Sequence, residues 1–519
     1  MIRRAVLVVV LAVLVAAVSY DRLDQAPTPE AAPEVVDQPM PSIAEPAVLS
    51  SAWYCPMGVA AGDQTVHVTN VGSEAVIGSI DVLTGDGPGP SLRFRIESAE
   101  AEVFRLVDLI DASSAGAVVE ITGGSAVVGH RVGTSLGMVE GPCATAASAT
   151  WHFAAGSTTR DSRQILALLN PSYDDVVFSA TFETPTRTIT PGDLEAAVVP
   201  ARSVRLIEVT DAVSREAVVA TRIETVRGGL AVERLQLRDG TLGPIGAALT
   251  LGVTDAATDW ELPVGQVHAG GDAEIVVTNP TDLPAEVDLY LVPNDPADRG
   301  RFGLVPEELD LRAGGVVTVD LDDLAARLGL PLPVDLGVRV ESANGTPVLV
   351  ERWHLDPAID ETLIGAGGTN ARLQTTRFQT DEGPEIDESD LEVTETVLLA
   401  QATPDRGLLV SRGATALADH WLFPVVTVSD TAVAITAPAS VDGEPVEVSI
   451  RTITGGVRST PVTVAVPAEG RVLVPVTSSV AVVALEVTAS APVGAEVSVV
   501  ELGVRSAAIA GVPVIPGGS

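Results

Sequence analysis

Short runs in which apolar and polar residues alternate fill most of the chain, and they recur in a fixed order four times. Each recurrence begins with a tryptophan-containing strand, passes an asparagine-type turn and ends at a turn marked by glycine. The first two intervals, from 53 to 151 and from 151 to 260, span 98 and 109 residues. A period of this size is that of a whole domain rather than a solenoid unit. The four tryptophans are Trp53, Trp151, Trp260 and Trp421.

The third repeat shows the pattern most clearly. Alternation predicts strands at 260–262, 274–278, 285–292, 315–319, 337–341 and 347–352. The second of these must turn at Asn279-Pro280, because proline cannot donate to a strand ladder. Asn344-Gly345 between the last two strands predicts a hairpin. A short helix is compatible with residues 322–328.

The other repeats follow the same frame. About seven short strands per repeat predict an all-β fold, a tandem array of immunoglobulin-like or fibronectin-like β-sandwiches. Each tryptophan is expected to fill either the core of its own repeat or the joint with the preceding one. The asparagine turn falls at Asn70, Asn170, Asn279 and, as alanine, Ala437; the last hairpin falls at 123–124, 228–229, 344–345 and 492–494; its outgoing strand ends at Arg131, Arg234, Arg352 and Glu501.

This frame divides the chain into seven parts. The third interval is longer and contains an acidic stretch at 381–390, which we read as a flexible insert. The parts are a membrane anchor or signal peptide (1–20), a disordered stalk (21–46), repeats at 47–150, 151–257 and 258–357, the insert (358–411) and a fourth repeat (412–519).

The amino terminus carries an export signal. Arg3 and Arg4 precede an apolar run at 5–18, which predicts that the chain after Tyr20 is extracytoplasmic. The run is long for a signal peptide and short for a membrane span. Cleavage after Ser19 and retention as an uncleaved anchor both remain open. Residues 21–46 are rich in Pro, Ala, Glu and Asp, a composition that cannot bury a core.

The chain has two cysteines, Cys55 and Cys143. In an exported protein an even pair predicts one disulfide, with two buried free thiols as the alternative. The bond would tie the first strand of the first repeat to that repeat's own exit.

Charge changes the picture of possible partners. The formal net charge is −38, and all 31 basic residues are arginine. A protein that binds nucleic acid needs a basic face to release counterions, so nucleic acid is excluded as a partner.

No residue set predicts a reaction. Gly133 to Gly137 fit the G-x-S-x-G pattern around Ser135, but the following residues, 138–142, cannot begin the helix that a nucleophile elbow requires. No two of the histidines form a metal-binding pair, and paired carboxylates are expected by chance in so acidic a chain. We predict no catalytic residues, no metal and no cofactor. The six histidines are His67, His130, His152, His268, His354 and His420.

Two acidic loops are candidate calcium sites, since oxygen-rich loops can hold this cation. Neither has the full D-x-D-x-D-G spacing, which favours solvated loops. One contains Asp320, Asp322 and Asp323, and the other contains Asn294, Asp295 and Asp298.

The Trp53-Tyr54-Cys55-Pro56 start, with the apolar amino terminus, the stalk and the Asn-Pro strands, resembles a family of unknown function of actinobacterial exported proteins. The resemblance covers most of 46–519 and implies association with the cell envelope. It implies no activity and no catalytic residues. Ala437, where asparagine is expected, departs from the pattern in the fourth repeat.

These observations favour a non-enzymatic, membrane-tethered scaffold or interaction protein of the cell envelope, with an unknown envelope protein or polysaccharide as partner. The alternative is a carbohydrate-binding protein built from sandwich modules, which would bind sugars through exposed aromatic residues. Only 17 residues are aromatic (5 Trp, 4 Tyr and 8 Phe), and most fall at predicted core positions. A hydrolase would instead need a deep polar pocket.

Overall fold

Each tryptophan begins a two-layered β-sandwich of eight strand positions. In a computed structural model, residues 41–44, 50–58, 64–123, 125–241, 245–267, 272–294, 306–355, 408–424, 430–439, 443–476, 482–501 and 504–515 are described. One sheet has the strand order first, sixth, third, fourth, and the other has the order fifth, second, seventh, eighth. All four repeats share this order, which confirms the all-β, tandem-sandwich prediction.

The strand bounds show how closely the repeats correspond. The first repeat has strands Ser50–Cys55, Gln64–Asn70, Val76–Thr84, Gly87–Ile96, Ala101–Arg105, Ala115–Thr122, Ala126–Thr134 and Gly137–Pro142. The second has Thr150–Phe153, Ser162–Asn170, Val176–Glu183, a fourth position split into Thr188–Ile189 and Ala197–Val199, then Ser203–Glu208, Ala220–Arg227, Ala231–Asp239 and Ile245–Leu251.

The third repeat has strands Asp259–Leu262 (followed by Gln266–Val267), Asp272–Thr278, Ala285–Pro293, Glu307–Leu311, Val316–Asp320, Val334–Ser342, Leu349–Leu355 and Leu408–Ser411. The fourth has Ala418–Phe423, Asp430–Thr436, Val446–Thr454, a split Val457–Arg458 and Val462–Val466, Arg471–Val476, one long strand Ala484–Glu501 and Val504–Ala510, followed by Val512–Ile515. Short helices cover Leu106–Asp108, Val209–Ala212 and Leu321–Leu328.

The prediction that each repeat ends in a hairpin is wrong. In the first three repeats, the strands on either side of the glycine turn, such as Val334–Ser342 and Leu349–Leu355, lie in opposite sheets. Alternation of apolar and polar residues shows only that a strand has one buried face. Two strands in opposite sheets, facing each other across the core, show the same alternation as two strands of a hairpin. In the fourth repeat there is no turn at 492–494, because Ala484–Glu501 runs unbroken from one sheet into the other.

The boundary of the third repeat also differs from the sequence analysis. Leu408–Ser411, assigned there to the insert, pairs with Leu349–Leu355 as the eighth strand of the third repeat. The acidic stretch at 381–390, the apolar run at 5–18 and residues 21–40 of the predicted stalk lie outside the described residues. The stalk prediction of 21–46 is wrong at its end, because Ile43–Ala44 forms a strand that pairs with Val512–Ile515. No helix in the part of the chain that the structure describes is long and apolar enough to cross a membrane.

The four tryptophans lie in the cores of their own repeats and are at most 2% exposed. Three of them make the same hydrogen bond: the indole N–H donates to the backbone carbonyl of the residue just before the seventh strand position. Trp151 donates to the Leu230 carbonyl at 2.6 Å, Trp260 to that of Val348 at 2.9 Å, and Trp421 to that of Val493 at 3.0 Å.

The asparagine turns are also built alike. In three repeats a fully buried asparagine accepts a hydrogen bond from the N–H two residues later and donates to the carbonyl four residues later. It also donates across to a carbonyl at the end of the fourth strand or in the loop that follows, which ties the two sheets together. These residues are Asn70, Asn170 and Asn279. Ala437 keeps only a backbone bond, from its N–H to the Gly470 carbonyl.

The predicted disulfide between Cys55 and Cys143 is present. Cys55 lies two positions after Trp53, and Cys143 lies eight before the next tryptophan. At these positions the other repeats pair a large side chain with a glycine: Phe153 with Gly252, Leu262 with Gly413 and Phe423 with Gly511. A Cβ built on these glycines would lie 3.0, 3.2 and 2.8 Å from the respective side chains. The disulfide therefore replaces an apolar contact that closes the other sandwiches.

This equivalence predicts the effect of exchanging one closure for the other. Loss of the disulfide removes at most about 4–5 kcal/mol of chain-entropy stabilisation. Cys55→Phe with Cys143→Gly should recover about 1.5–3 kcal/mol by burying the new ring. We expect thermal unfolding midpoints to fall in the order oxidised parent, Phe/Gly variant, Cys55→Ser/Cys143→Ser variant. If the Phe/Gly variant were no more stable than the double-serine variant, the two closures would not be equivalent.

Candidate functional site

The repeats close into a ring within residues 40–519. The eighth strand of each repeat contacts the eighth strand of the next, and Val504–Ala510 of the fourth repeat returns to Gly137–Pro142 of the first. Leu422, Ile453, Ala484, Val512 and Val514 of the fourth repeat belong to the buried core of the first. The first and last described strands meet at the same joint, where Ile43–Ala44 pairs in parallel with Val512–Ile515. Ring closure makes the joints the best-defined shared site of the molecule.

A buried glutamate on the seventh strand position centres three of the four joints. Strand register identifies the position, since each glutamate lies opposite the residue three before the asparagine-type turn. Each carboxylate accepts a backbone N–H from the preceding repeat, three or four residues after its tryptophan. Glu233 accepts from Met57 at 3.1 Å, Glu351 from Ala154 at 2.9 Å, and Glu496 from Val264 at 3.0 Å.

A polar partner from the preceding repeat completes each joint. His130 Nε2 lies 2.8 Å from Glu233 Oε1, with both side chains fully buried. Arg234 Nη2 donates to Glu351 at 2.8 Å, and its guanidinium packs 5.1 Å from the ring centre of Phe153 and 5.6 Å from that of Trp353. Such placement between aromatic faces suits the planar guanidinium.

The third joint relies on a hydroxyl and on nearby positive charge. Ser411 donates to Glu496. Burial raises the pKa of Glu496, while the hydrogen bonds from Ser411 and Val264 and the charges of Arg352 and Arg412 act in the opposite direction. Burial in turn lowers the pKa of Arg412 to about 10. A buried carboxylate without such partners would be strongly destabilising.

The fourth joint, which closes the ring, has an apolar contact at the glutamate position. Gly129 occupies it, opposite His67, and a Cβ built there would lie 2.8 Å from Cβ of Pro424. Val497 stands where Arg234 and Arg352 stand in the second and third repeats. Polar contacts lie at the rim, where Thr69 donates to the Val483 carbonyl at 3.0 Å and Arg458 donates to that of Val71.

Strand register corrects one part of the sequence frame. The structural equivalent of Arg234 and Arg352 in the first repeat is His130, not Arg131. Arg131 is partly exposed and pairs with Glu140 on the neighbouring strand at 3.4 Å. In the fourth repeat the equivalent of Arg234 and Arg352 is Val497, not Glu501, and Glu496 corresponds to Glu233 and Glu351. The dipeptide Glu-Arg, which recurs at 233–234 and 351–352, is the sequence signal that could have identified the joints.

The other residues considered for chemistry lie apart. Ser135 is exposed in the turn between Ala126–Thr134 and Gly137–Pro142, not on a strand-to-helix elbow. Asp320 caps the helix Leu321–Leu328 by accepting the Asp323 N–H at 2.9 Å. Asn294 accepts from Arg471. Asp295, Asp298 and His268 lie outside the described residues. Among the residues with assigned positions, no three His, Cys, Asp or Glu side chains are grouped to hold a metal ion.

The remaining described histidines differ in their surroundings. His67 Nε2 lies 2.7 Å from the Thr65 hydroxyl, and burial lowers the pKa of His67 to about 3. His354 is buried within its strand, and His420 pairs with Glu486 at 3.1 Å. His152 lines a cleft between the second and third repeats.

Comparisons with known proteins give a family of unknown function. The profile described as "Family of unknown function (DUF5719)" matches residues 98–329, from the loop between the fourth and fifth strands of the first repeat to the end of the helix in the third. No curated protein matches the chain.

Three solved structures show weak similarity. A Thermotoga maritima structure titled "Thermotoga maritima 1070" is 20% identical over 20% of this chain and 83% of its own, with a TM-score of 0.17. A Streptomyces avermitilis alpha-L-rhamnosidase is 11% identical over 61% of this chain and 44% of its own (TM-score 0.13). A tetra-tandem repeat from the extending region of a large adhesion protein is 11% identical over 86% and 93% (TM-score 0.10). None of these likenesses indicates what this chain binds or does.

Breaking the joint between the second and third repeats should cost far more than breaking a surface pair. Arg234→Met leaves the Glu351 carboxylate buried without its cation, which we expect to reduce the free energy of unfolding by about 3–5 kcal/mol. Arg163→Met, at the largely exposed pair with Glu208, should cost about 0–1 kcal/mol. The double variant Arg234→Met/Glu351→Gln should be more stable than Arg234→Met alone. Urea denaturation measures all three, and equal losses for Arg234→Met and Arg163→Met would contradict a buried ionic joint.

The joint between the third and fourth repeats should make stability depend on pH. Burial raises the pKa of Glu261 to about 7, with Arg339 and Thr436 acting in the opposite direction. The folded state therefore holds a proton that the unfolded chain loses near pH 4.5, so the contribution of Glu261 to stability falls as pH rises from about 4.5 to 7. Glu261→Gln should reduce this fall in thermal midpoint, while Glu447→Gln at an exposed position should keep it in full. Identical pH profiles for parent and Glu261→Gln would refute this assignment.

Proposed function

We propose that this chain is a non-enzymatic scaffold or interaction protein of the cell envelope, tethered to the membrane by its amino terminus. The observation that carries the proposal is the closure of four sandwiches into one ring through buried joints. Because three joints bury a carboxylate with its partners and the fourth packs Gly129 closely against Pro424, the repeats hold fixed orientations. A body of this kind presents its outer loops and edge strands as a rigid set of surfaces.

The location is supported by two independent features. The Cys55–Cys143 disulfide is typical of proteins that fold in an oxidising compartment. The apolar run at 5–18, preceded by Arg3 and Arg4, provides an export signal and, if uncleaved, the tether. The net charge of −38 keeps such a body soluble at the membrane surface and disfavours nucleic acid.

Fractionation of cells that produce the full chain tests the location. We expect the protein in the membrane fraction, digested by protease added to intact cells, with both cysteines oxidised. Leu11→Arg/Leu14→Arg should abolish export, because each arginine costs about 2.5–3.5 kcal/mol at the centre of an apolar helix. Ala12→Leu/Ala16→Leu, which keeps the run apolar, should preserve export. A parent protein with free thiols inside the cell would overturn the proposed location.

Cross-linking on the same intact cells tests the interaction role. We expect the same envelope protein or polysaccharide to co-purify with the disulfide-bonded protein in repeated experiments. Arg234→Met, which weakens a joint without altering the outer surface, should reduce its recovery. If the exported parent captured nothing above the level of an unrelated exported protein, the scaffold role would fail although the location stood.

A further inference from the structure

One position of the repeat is filled differently at each joint. The residue after each tryptophan bridges to the segment that follows the eighth strand, beside the next repeat. Tyr54 packs against the core of the second repeat, and Leu422 belongs to the core of the first. Glu261 lies against Gly494 of the fourth repeat. The remaining residue at this position is His152, between the second and third repeats.

A cleft of about 260 Å³ lies beside His152 at this joint. Its inner part is formed by buried residues of both repeats, including Thr221, Thr278 and Leu349. Its mouth is formed by exposed residues, including Asp282 and Ala313. The cleft is therefore open to solvent at one end and lined by two rigid sandwiches, as expected of a preformed ligand site.

His152 contributes its imidazole ring to the wall of this cleft. The residue is 8% exposed, and Nδ1 is enclosed, with no hydrogen-bond partner among the described residues. Burial and the nearby Arg222 lower the pKa of His152 to about 4. The ring is thus neutral at neutral pH, with one nitrogen that donates and one that accepts. A neutral imidazole at a cleft wall can form a hydrogen bond with a ligand hydroxyl.

The remaining wall mixes donors and acceptors. Arg222 contributes a half-buried guanidinium, and Glu183 and Asp282 contribute carboxylates. The Thr188 hydroxyl donates to Glu183 at 2.5 Å, which orients that carboxylate at the cleft. An anionic ligand would face the two carboxylates, and a cationic ligand would face Arg222. A neutral ligand with several hydroxyls can use both kinds of group.

We propose that this cleft binds one neutral sugar residue, held between the second and third repeats by His152, Arg222 and the carboxylates of Glu183 and Asp282. The volume is just below the range of about 300–1,000 Å³ for drug-sized ligands, which fits a single ring rather than an oligosaccharide. The binding needs no exposed aromatic platform. It goes beyond the scaffold function, because the ring of repeats needs no ligand to close.

Saturation-transfer NMR on the purified full-length chain tests this assignment. The probes are methyl glycosides of glucose, galactose, mannose and arabinose, with glucosamine and glucuronic acid as charged counterparts. We expect at least one neutral glycoside to bind with Kd about 1 mM, since one ring offers few contacts. The charged sugars should bind at least about tenfold more weakly, because each meets a like charge in the cleft.

Two variants should close the cleft from different sides. His152→Tyr places there the side chain that the first repeat uses at the same position, and Ala313→Trp covers the mouth from an exposed turn. Ala468→Trp, at the equivalent turn of the fourth repeat, is the matched control. We expect both cleft variants to lose binding and the control to keep it, with circular dichroism unchanged. If His152→Tyr failed to fold, Ala313→Trp would decide alone.

Three results would overturn the proposal: no neutral glycoside bound at about 10 mM, tenfold above the expected Kd, binding that survived Ala313→Trp, or binding restricted to the charged sugars. The measurement uses purified protein without membrane or partner. Its failure would therefore leave the scaffold proposal intact, and failure of the cell-based cross-linking would leave the sugar site intact.

Discussion

The ring of repeats depends on buried carboxylates, each of which needs hydrogen bonds from the neighbouring repeat to be stable in the protein interior. Glu233, Glu351 and Glu496 lie on strands of the sandwich cores, and all three are at most 3% exposed. Each would be strongly destabilising in an isolated sandwich, because its hydrogen bonds come largely from the preceding repeat. The polar joint therefore sets the orientation of one repeat on the next, while the apolar side chains around it supply most of the burial.

The fourth joint shows what the same geometry requires when polarity is absent. Gly129 and Pro424 pack so closely that a side chain at Gly129 would have to displace the proline ring. Core residues of the fourth repeat enter the core of the first, and the terminal strands pair beside them. Three joints thus rely on oriented hydrogen bonds, and the closing joint relies on shape and apolar contact. The difference makes the closing joint distinct from the others and gives the four repeats a fixed order around the ring.

Much of the sandwich was predictable from the sequence, and the ring was not. Tryptophan, the asparagine turn and strand alternation predict the repeats because these are local signals with local causes. Alternation could not separate a hairpin from a crossing between sheets, so Asn344-Gly345 was assigned to the wrong pairing. Alignment by residue type placed Arg131 with Arg234, whereas the ladder places His130 there. The cleft beside His152 depends on side chains more than a hundred positions apart, such as Arg222 and Leu349, and no local pattern connects them.

The core of the first repeat is completed by residues of the fourth, and the order of synthesis therefore matters for its stability. The chain is made from its amino terminus, so the first sandwich leaves the ribosome long before Leu422, Ile453 and Val512 exist to cover it. Until those residues are made, that sandwich would expose an apolar side while three more are translated. The disulfide lies in this earliest sandwich, at the place where the other three repeats pack a phenylalanine or leucine side chain against a glycine. A covalent bond there stabilises the first repeat until the fourth repeat has been synthesised and can cover it.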